Sequence, residues 1–167
     1  DQLGMTRNEQ ARVTSLLNSP SGLLLVTGPT GTGKTTTLYA CLQYLNSGTR
    51  KINTLEDPVE YALPGIRQSQ VNTRLAVDFA ELLRNILRQA PDVIMIGEVR
   101  TREGMDHAIA FAETGHLVLC TLHANNANQA LDRVLHFFPE DRRPQVLMDL
   151  SLNLKGIVAQ QLIPTPD

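Results

Sequence analysis

The segment from Gly28 to Thr35 reads GPTGTGKT and matches the pattern G-x-x-x-x-G-K-[ST] at every fixed position. It follows the apolar run GLLLVT, which is typical of a strand buried on both faces, and it precedes a stretch with helical spacing. In that setting the glycines allow successive backbone N–H groups to face one phosphate, and the start of the helix adds the positive end of its dipole. The segment therefore predicts a strand, a phosphate-binding loop and a helix in direct succession.

The rest of the chain continues this alternation of strands and helices. Short apolar runs predict further strands at residues 51–55, 92–96 and 117–122, and residues 68–72 predict a small edge strand or hairpin arm. Helical spacing occurs at residues 7–17, 34–46, 78–89, 102–113, 126–136 and from about 142 to 161. The alternation predicts an α/β fold with a mostly parallel β-sheet flanked by helices on both faces.

Composition limits the kinds of ligand that such a domain takes. The 167 residues suit one domain, and a net charge of −2 with 4% aromatic residues speaks against a nucleic-acid surface. No apolar run approaches the ~20 residues that span a bilayer, and no signal-peptide pattern is present, so we expect a cytosolic chain. Cys41 and Cys120 are predicted to be small buried side chains. Because the sequence begins at Asp1, we expect it to be part of a longer protein.

Charged side chains follow three of the predicted strands. Glu56, Asp57 and Glu60 come after the second strand, Glu98 after the next, and His123 after the run that ends at residue 122. The carboxyl ends of parallel strands border the ligand crevice, where carboxylates can hold Mg²⁺ or orient an attacking water. Glu98 is expected to take one or both of these roles. The alternative for each carboxylate is a solvated loop charge.

Two residues of the loop have their own predicted contacts. Lys34 would reach the β and γ phosphate oxygens of a nucleotide, and the Thr35 hydroxyl would ligate Mg²⁺. Four histidines allow several interpretations. A neutral imidazole at His116 or His123 could donate a hydrogen bond to a γ-phosphate oxygen, and a structural histidine is the alternative at both positions. His107 and His136 are expected to be structural; no His/Cys grouping has metal-ligand spacing, so no metal cluster is predicted.

The helix predicted at residues 78–89 presents two arginines opposite its apolar stripe. Asp78 and Glu81 have the spacing of a capping box at its start. Arg84 and Arg88 are four residues apart, so both guanidinium groups point the same way. They either belong to a solvated face or stabilise phosphate charge, in their own subunit or across an interface.

Four segments with these features occur in a fixed order: GPTGTGKTTTLYA at residues 28–40, TLEDPVEY at 54–61, LRQAPDVIMIGEVR at 87–100 and TGHLVLCTLHANNA at 114–127. They resemble the phosphate loop, Asp box, Walker B segment and His box of the hexameric ATPase family that drives type II secretion and the extension and retraction of type IV pili. The resemblance implies a RecA-like ATPase domain over residues 1–167, within a longer chain whose amino-terminal domain is absent here.

Roles for individual residues follow from the same resemblance. The ATP site would comprise Gly28, Pro29, Thr30, Gly31, Thr32, Gly33, Lys34, Thr35 and Thr36. Mg²⁺ would be held by Thr35, Glu98, Glu56 and Asp57. Glu98 matches the Walker B glutamate, and Glu60 belongs to the Asp box with Glu56 and Asp57. Glu98 and Glu60 would hold the reacting water. His123 would contact phosphate, while Arg84 and Arg88 match arginines that approach the nucleotide from a subunit interface.

The resemblance also implies partners. They are five further copies of the chain in a hexameric ring and an inner-membrane platform protein, on the cytoplasmic side, with no nucleic acid. Residues 56–72 look like the secretion and pilus-extension branch, whereas the sequence from Arg100 onward looks more like the retraction branch. Two other functions are compatible with the phosphate loop: an ATP-dependent scaffold with little turnover, and a RecA-like DNA translocase.

Overall fold

The computed structural model describes residues 3–71 and 79–164. Helices and strands alternate along most of this length, as the apolar pattern predicts. In chain order they are α1 Arg7–Leu17, β1 Gly22–Thr27, α2 Lys34–Leu45, β2 Ile52–Glu56, β3 Arg67–Gln70, α3 Phe79–Arg88, β4 Val93–Glu98, α4 Arg102–Glu113, β5 Leu117–Leu122, α5 Ala127–His136, α6 Arg143–Asn153 and β6 Leu154–Ala159. Asp78, the predicted cap of α3, lies outside the described residues.

The strands form one six-stranded sheet in the order β3-β2-β4-β5-β1-β6, and every neighbouring pair is parallel. Strands β1 and β5 lie in its interior and are buried along their whole length because helices cover both faces. The predicted α/β fold with a parallel sheet is confirmed.

A hydrophobic core lies on each face of this sheet. One core contains side chains from α3, α4, α5 and α6, among them Ile86, Met105, Val134 and Leu150. The other packs α1 and α2 against the opposite face, through Leu17, Leu38 and Leu42 among others. Cys41 and Cys120 are buried free thiols, as predicted. Within the described ranges, no helix combines the length and apolar character needed to cross a bilayer.

The predicted helix from about residue 142 to 161 is wrong in its second half. Helix α6 ends at Asn153, and β6 follows at once, paired in parallel with β1. Leu154, Ile157 and Val158 suit helical spacing after Leu150, but in the structure all three lie beside β1. They are opposite Leu23, Leu25 and Val26 respectively. Tertiary pairing with a buried strand therefore overrides an apolar period that fits both states.

The segment predicted at residues 68–72 is an edge strand and not a hairpin arm. Strand β3 covers Arg67–Gln70 and pairs in parallel with β2 at the sheet edge. Asn72, the last residue of that prediction, lies outside the described residues. Because the whole sheet is parallel, the carboxyl ends of its strands share one edge, and neighbouring strands there are about 4.8 Å apart. This edge brings together the loop after β1 and the residues that end β2, β4 and β5.

Candidate nucleotide-binding site

The loop between β1 and α2 has the conformation that a phosphate cradle needs. Gly31 and Gly33 have φ angles of 79° and 85°, in the left-handed region that glycine adopts without strain. Within the loop, the Thr32 hydroxyl donates to the Pro29 carbonyl oxygen at 2.7 Å. Gly33 precedes α2, and among the described residues no side chain caps this helix start. The first N–H groups of α2, from Lys34 to Thr36, are therefore available to an anion.

Gly28 is fixed by close neighbours and not by its φ angle. A Cβ at this position would lie 2.4 Å from Thr32 Oγ1 and 2.8 Å from the carbonyl oxygen of Gln160, so a side chain does not fit. Gln160 follows β6, and its N–H donates to the Thr27 carbonyl oxygen at 2.8 Å. Its Nε2 donates to Thr37 Oγ1 at 2.7 Å. Gln160 thus holds both ends of the loop, at the top of β1 and in the first turn of α2.

Lys34 lies at the start of α2 and folds back over the loop. Its Nζ donates to the Gly28 carbonyl oxygen at 2.8 Å. Partial burial lowers the pKa of Lys34, the charge of Glu98 opposes this shift, and that of Arg133 adds to it. The lysine therefore shares an electrostatic environment with Glu98. Thr30, Thr35 and Thr36 of the same loop and turn are exposed.

Glu98 ends β4 just after an irregularity in the β4–β5 pairing. The register shifts between Ile96 and Glu98, which is a bulge at Gly97 and redirects the glutamate. The Glu98 carboxylate accepts a hydrogen bond from the guanidinium of Arg100. Burial raises the pKa of Glu98, but the hydrogen bond and charge of Arg100, with the charges of Lys34 and His123, outweigh it and leave the pKa below its usual value. The carboxylate is therefore held in its ionised form.

Asp57 and His123 lie near this pair. The hydrogen bond to Glu98 raises the pKa of Arg100, and the charge of Asp57 adds to that shift. His123 is exposed directly after β5, the strand between β4 and β1. The structure thus brings Lys34, Glu98, Asp57 and His123 to one edge of the sheet.

Glu56 differs from the other predicted metal ligands because it is buried, with 4% of its surface exposed. Its carboxylate accepts hydrogen bonds from the Tyr39 hydroxyl, from Thr54 Oγ1 at 2.7 Å and from Gln68 Nε2 at 3.3 Å. These contacts favour a structural anchor over the predicted role as a magnesium ligand. Glu60 is exposed, and its N–H donates to the Tyr39 hydroxyl at 3.2 Å.

The contacts of His116 favour the structural interpretation. His116 precedes β5 and therefore lies at the amino end of the sheet, about 20 Å along a six-residue strand from the phosphate loop. Its Nδ1 lies 3.0 Å from the Phe111 carbonyl oxygen and 3.2 Å from Thr114 Oγ1. A contact with phosphate in the same subunit is excluded by this placement. His136 contacts its own helix, with Nδ1 2.6 Å from the Asp132 carbonyl oxygen.

Arg84 and Arg88 are exposed on α3, as their spacing predicts. Arg88 is the last residue of that helix, and the next carbonyl, that of Gln89, accepts a hydrogen bond from Lys51 Nζ at 2.9 Å. Lys51 directly precedes β2, so Arg88 lies near the amino edge of the sheet. A five-residue strand, about 17 Å, separates that edge from the phosphate loop. For Arg88, action on phosphate in its own subunit is therefore excluded, and a solvated face or action across a subunit interface stays a prediction.

Sequence reasoning missed four residues of this site: Tyr39, Arg100, Arg133 and Gln160. Of the four, only Arg100 has a usable signal in the sequence, because it lies two residues after Glu98. In an extended chain, side chains two residues apart point to the same side. Gln160 lies in the part of the chain for which a helix was wrongly predicted. Tyr39 and Arg133 interact with residues that are far away in sequence. Among the described residues, no three His, Cys, Asp or Glu side chains are grouped closely enough to hold a metal by themselves.

The carboxyl edge of this parallel sheet carries a glycine-rich loop, a helix start without a side-chain cap and a lysine. These features define the class of P-loop nucleotide-binding α/β domains. Comparison with known proteins agrees with this class. The family model described as type II/IV secretion system protein matches residues 1–166, and the chain belongs to this family.

Two curated relatives show where in the family the similarity lies. The chain is 63% identical over 150 residues to the type IV pilus ATPase PilU of Pseudomonas aeruginosa, which covers 87% of this chain and 39% of that protein. It is 50% identical over 163 residues to a putative type II secretion system protein E of Escherichia coli, covering 98% of this chain and 32% of that protein. The chain thus spans 32% to 39% of the length of these relatives.

Solved structures share the fold. The crystal structure of the pilus retraction motor PilT with bound ADP superposes with a TM-score of 0.86 at 40% identity, over 98% of this chain and 48% of that one. The ATPase DotB of Legionella pneumophila gives a TM-score of 0.84 at 29% identity, over 98% and 46%.

Proposed function

We propose that this chain is the nucleotide domain of a longer ATP-hydrolysing motor that serves type IV pili or type II secretion. The observation that carries the proposal is the uncapped start of α2 behind Gly33, with Lys34 and the ionised Glu98 at the same edge of the sheet. This arrangement supplies anion-binding N–H groups, a cation for phosphate oxygens and a carboxylate for the reacting water. The names of the relatives, one of them a type IV pilus ATPase, point to the same activity.

The described residues suit particular steps of ATP hydrolysis. Lys34 exchanges the Gly28 carbonyl oxygen for the β and γ phosphate oxygens when the nucleotide binds. Thr35 and Glu98 fit Mg²⁺, which would neutralise phosphate charge there, because a hydroxyl and a carboxylate are oxygen ligands of the kind that it prefers. Glu98 and Glu60 orient water for in-line attack on the γ-phosphate, and His123 contacts that phosphate.

The complete protein is proposed to form a ring of six subunits on the cytoplasmic side of the inner membrane, against a platform protein. Arg84 and Arg88 would then act on the nucleotide of a neighbouring subunit, which agrees with the position of Arg88 far from its own phosphate loop. The higher identity to PilU than to the type II secretion protein favours a pilus machine.

Glu98→Gln in the full-length protein tests the proposal. We expect the variant to bind ATP as tightly as the wild type and to lose turnover, because the amide cannot orient or deprotonate water as the carboxylate does. The measurements are the ATP dissociation constant and the rate of phosphate release. Hydrolysis at the wild-type rate would contradict the assignment, and ATP-dependent assembly with unchanged cellular function would favour a scaffold.

A further inference from the structure

We propose that Tyr39 is a positioning residue: its buried hydroxyl, held in place by Glu56, fixes the backbone at Glu60 relative to the phosphate loop. The inference rests on the proposed function, in which Glu60 acts on the reacting water. Its basis is a polar cluster of the buried residues Tyr39, Thr54 and Glu56 with the half-buried Gln68, of which only Glu56 has a predicted role, that of a magnesium ligand. We call these four residues the Tyr39 cluster.

The Tyr39 hydroxyl is the centre of the cluster. Tyr39 is fully buried, and its hydroxyl donates to a carboxylate oxygen of Glu56. The Tyr39 hydroxyl oxygen in turn accepts from the N–H of Glu60 at 3.2 Å and from Gln68 Nε2 at 3.4 Å. Burial, followed by the hydrogen bond to Glu56, raises the pKa of Tyr39 to about 12, so the hydroxyl keeps its proton near neutral pH. It therefore donates and accepts at the same time.

Glu56 holds the hydroxyl in place. Thr54 and Gln68 donate to its other carboxylate oxygen, at 2.7 Å and 3.3 Å. A buried carboxylate is stable only when such partners satisfy it, and removing one of them leaves a costly unpaired group. The cluster therefore gives the Tyr39 hydroxyl one fixed position with respect to β2 and β3.

Tyr39 also links this position to the phosphate loop. It lies four residues after Thr35 on α2, which places the two side chains on one helix face about 6 Å apart along the axis. Thr35 is the proposed Mg²⁺ ligand. A displacement of the Tyr39 hydroxyl would therefore change the position of Glu60 relative to the phosphate and the metal.

Further contacts, made by Tyr61, hold the backbone around Glu60. The rings of Tyr39 and Tyr61 meet edge to face, with centroids 4.7 Å apart and an angle of 80°. Gln68 Nε2 also donates to the Tyr61 carbonyl oxygen at 3.0 Å. Glu60 is thus bound through its own N–H and next to a packed aromatic residue, while its side chain is exposed. This arrangement fixes the backbone of Glu60 and leaves its side chain exposed, as the proposed role on the reacting water requires.

Tyr39→Phe in the full-length protein is the test, because it removes only the hydroxyl and keeps the ring against Tyr61. We expect kcat for ATP hydrolysis to fall about 10- to 100-fold, as misplaced catalytic groups do, while KM and the dissociation constant of a non-hydrolysable ATP analogue change less than about twofold. The matched control is Tyr44→Phe on the same helix. Tyr44 is 48% exposed, and its hydroxyl pairs with Asn18 at 3.2 Å, away from the loop.

A second variant guards against a general loss of structure. Glu56→Gln keeps an oxygen that can accept from Tyr39, and we expect reduced kcat with an unchanged Mg²⁺ concentration for half-maximal activity. A strongly raised Mg²⁺ requirement would make Glu56 a metal ligand and overturn the inference. Equal kcat values for Tyr39→Phe and Tyr44→Phe would also overturn the inference. In that case, ATP hydrolysis by the wild-type protein would still leave the proposed function intact. A wild-type protein that does not hydrolyse ATP would refute both.

Discussion

Arg100 controls the carboxylate that the proposed reaction uses. Its guanidinium binds Glu98 while remaining largely exposed, with a side chain 64% accessible. Surface ion pairs contribute little to stability, so the main effect of this pair is on ionisation and orientation. Arg100 keeps Glu98 charged although the site is partly buried, and the charges of Lys34, His123 and Asp57 also act on this pair.

Arg100→Gln is expected to move the acid limb of the pH–activity profile to higher pH. The pKa of Glu98 lies below its usual value with Arg100 present, and loss of that hydrogen bond and charge lets burial raise it. Because the reaction needs the ionised carboxylate, the variant loses activity at a higher pH than the wild type does. The measurement is kcat/KM for ATP against pH in the full-length protein. Arg102→Gln, at an exposed position at the start of α4, is the control; identical acid limbs in all three proteins would contradict the role of Arg100.

Single residues of the site differ in how far sequence predicts them. Lys34 and Thr35 belong to a contiguous pattern whose geometry the chain supplies locally, and the structure places both at the start of α2, where the sequence predicts a helix. Glu56 was predicted from its position after a strand, but its environment depends on Tyr39 and Gln68, which lie 17 and 12 residues away. Local spacing cannot reveal partners at such separations, because only the packed fold brings them together.

At the scale of elements, the loop between β1 and α2 depends on β6. Gln160, the residue after β6, bonds to Thr27 and Thr37, and its carbonyl oxygen occupies the space in which a side chain at Gly28 would lie. Because a helix was predicted through residue 161, β6 was missed, and so was Gln160, which holds the phosphate loop. The apolar period is ambiguous there because Leu154, Ile157 and Val158 belong to an edge strand that is only partly buried.

Gly28→Ala is expected to weaken ATP binding about 10- to 100-fold. The added Cβ would lie 2.8 Å from the Gln160 carbonyl oxygen, so the loop must move to accept it. Overpacking of this kind costs about 1–3 kcal/mol, and we expect that cost to appear as weaker phosphate binding by the displaced loop. The ATP dissociation constant of the full-length protein is the measurement. Gly104→Ala in α4 is a matched control, since its Cβ would meet no atom closer than 3.4 Å. Equal affinities in the two variants would show that the loop accommodates the methyl group.

At the scale of the whole molecule, the parallel sheet places the candidate site residues at two opposite edges. The carboxyl edge carries Lys34, Glu98 and His123, and Arg88 lies near the amino edge. The proposed ring accounts for this separation. In a heterologous interface, one surface of a subunit contacts a different surface of the next, so Arg88 of one subunit would face the phosphate loop of its neighbour. The alternation of strands and helices predicts such a sheet correctly, since each motif follows a strand. Strand order could not be predicted in the same way, because the sequence pattern did not reveal β6, which pairs with β1 at the edge of the sheet.

Lys34→Ala in the full-length protein tests the central claim most directly, namely that the loop after β1 binds the ATP that the protein hydrolyses. Lys51→Ala is the control, because Lys51 lies at the opposite edge of the sheet and donates to Gln89. We predict that Lys34→Ala raises the ATP dissociation constant at least about tenfold and reduces hydrolysis to background, while Lys51→Ala keeps wild-type values. Wild-type ATP affinity and turnover in Lys34→Ala would contradict the account.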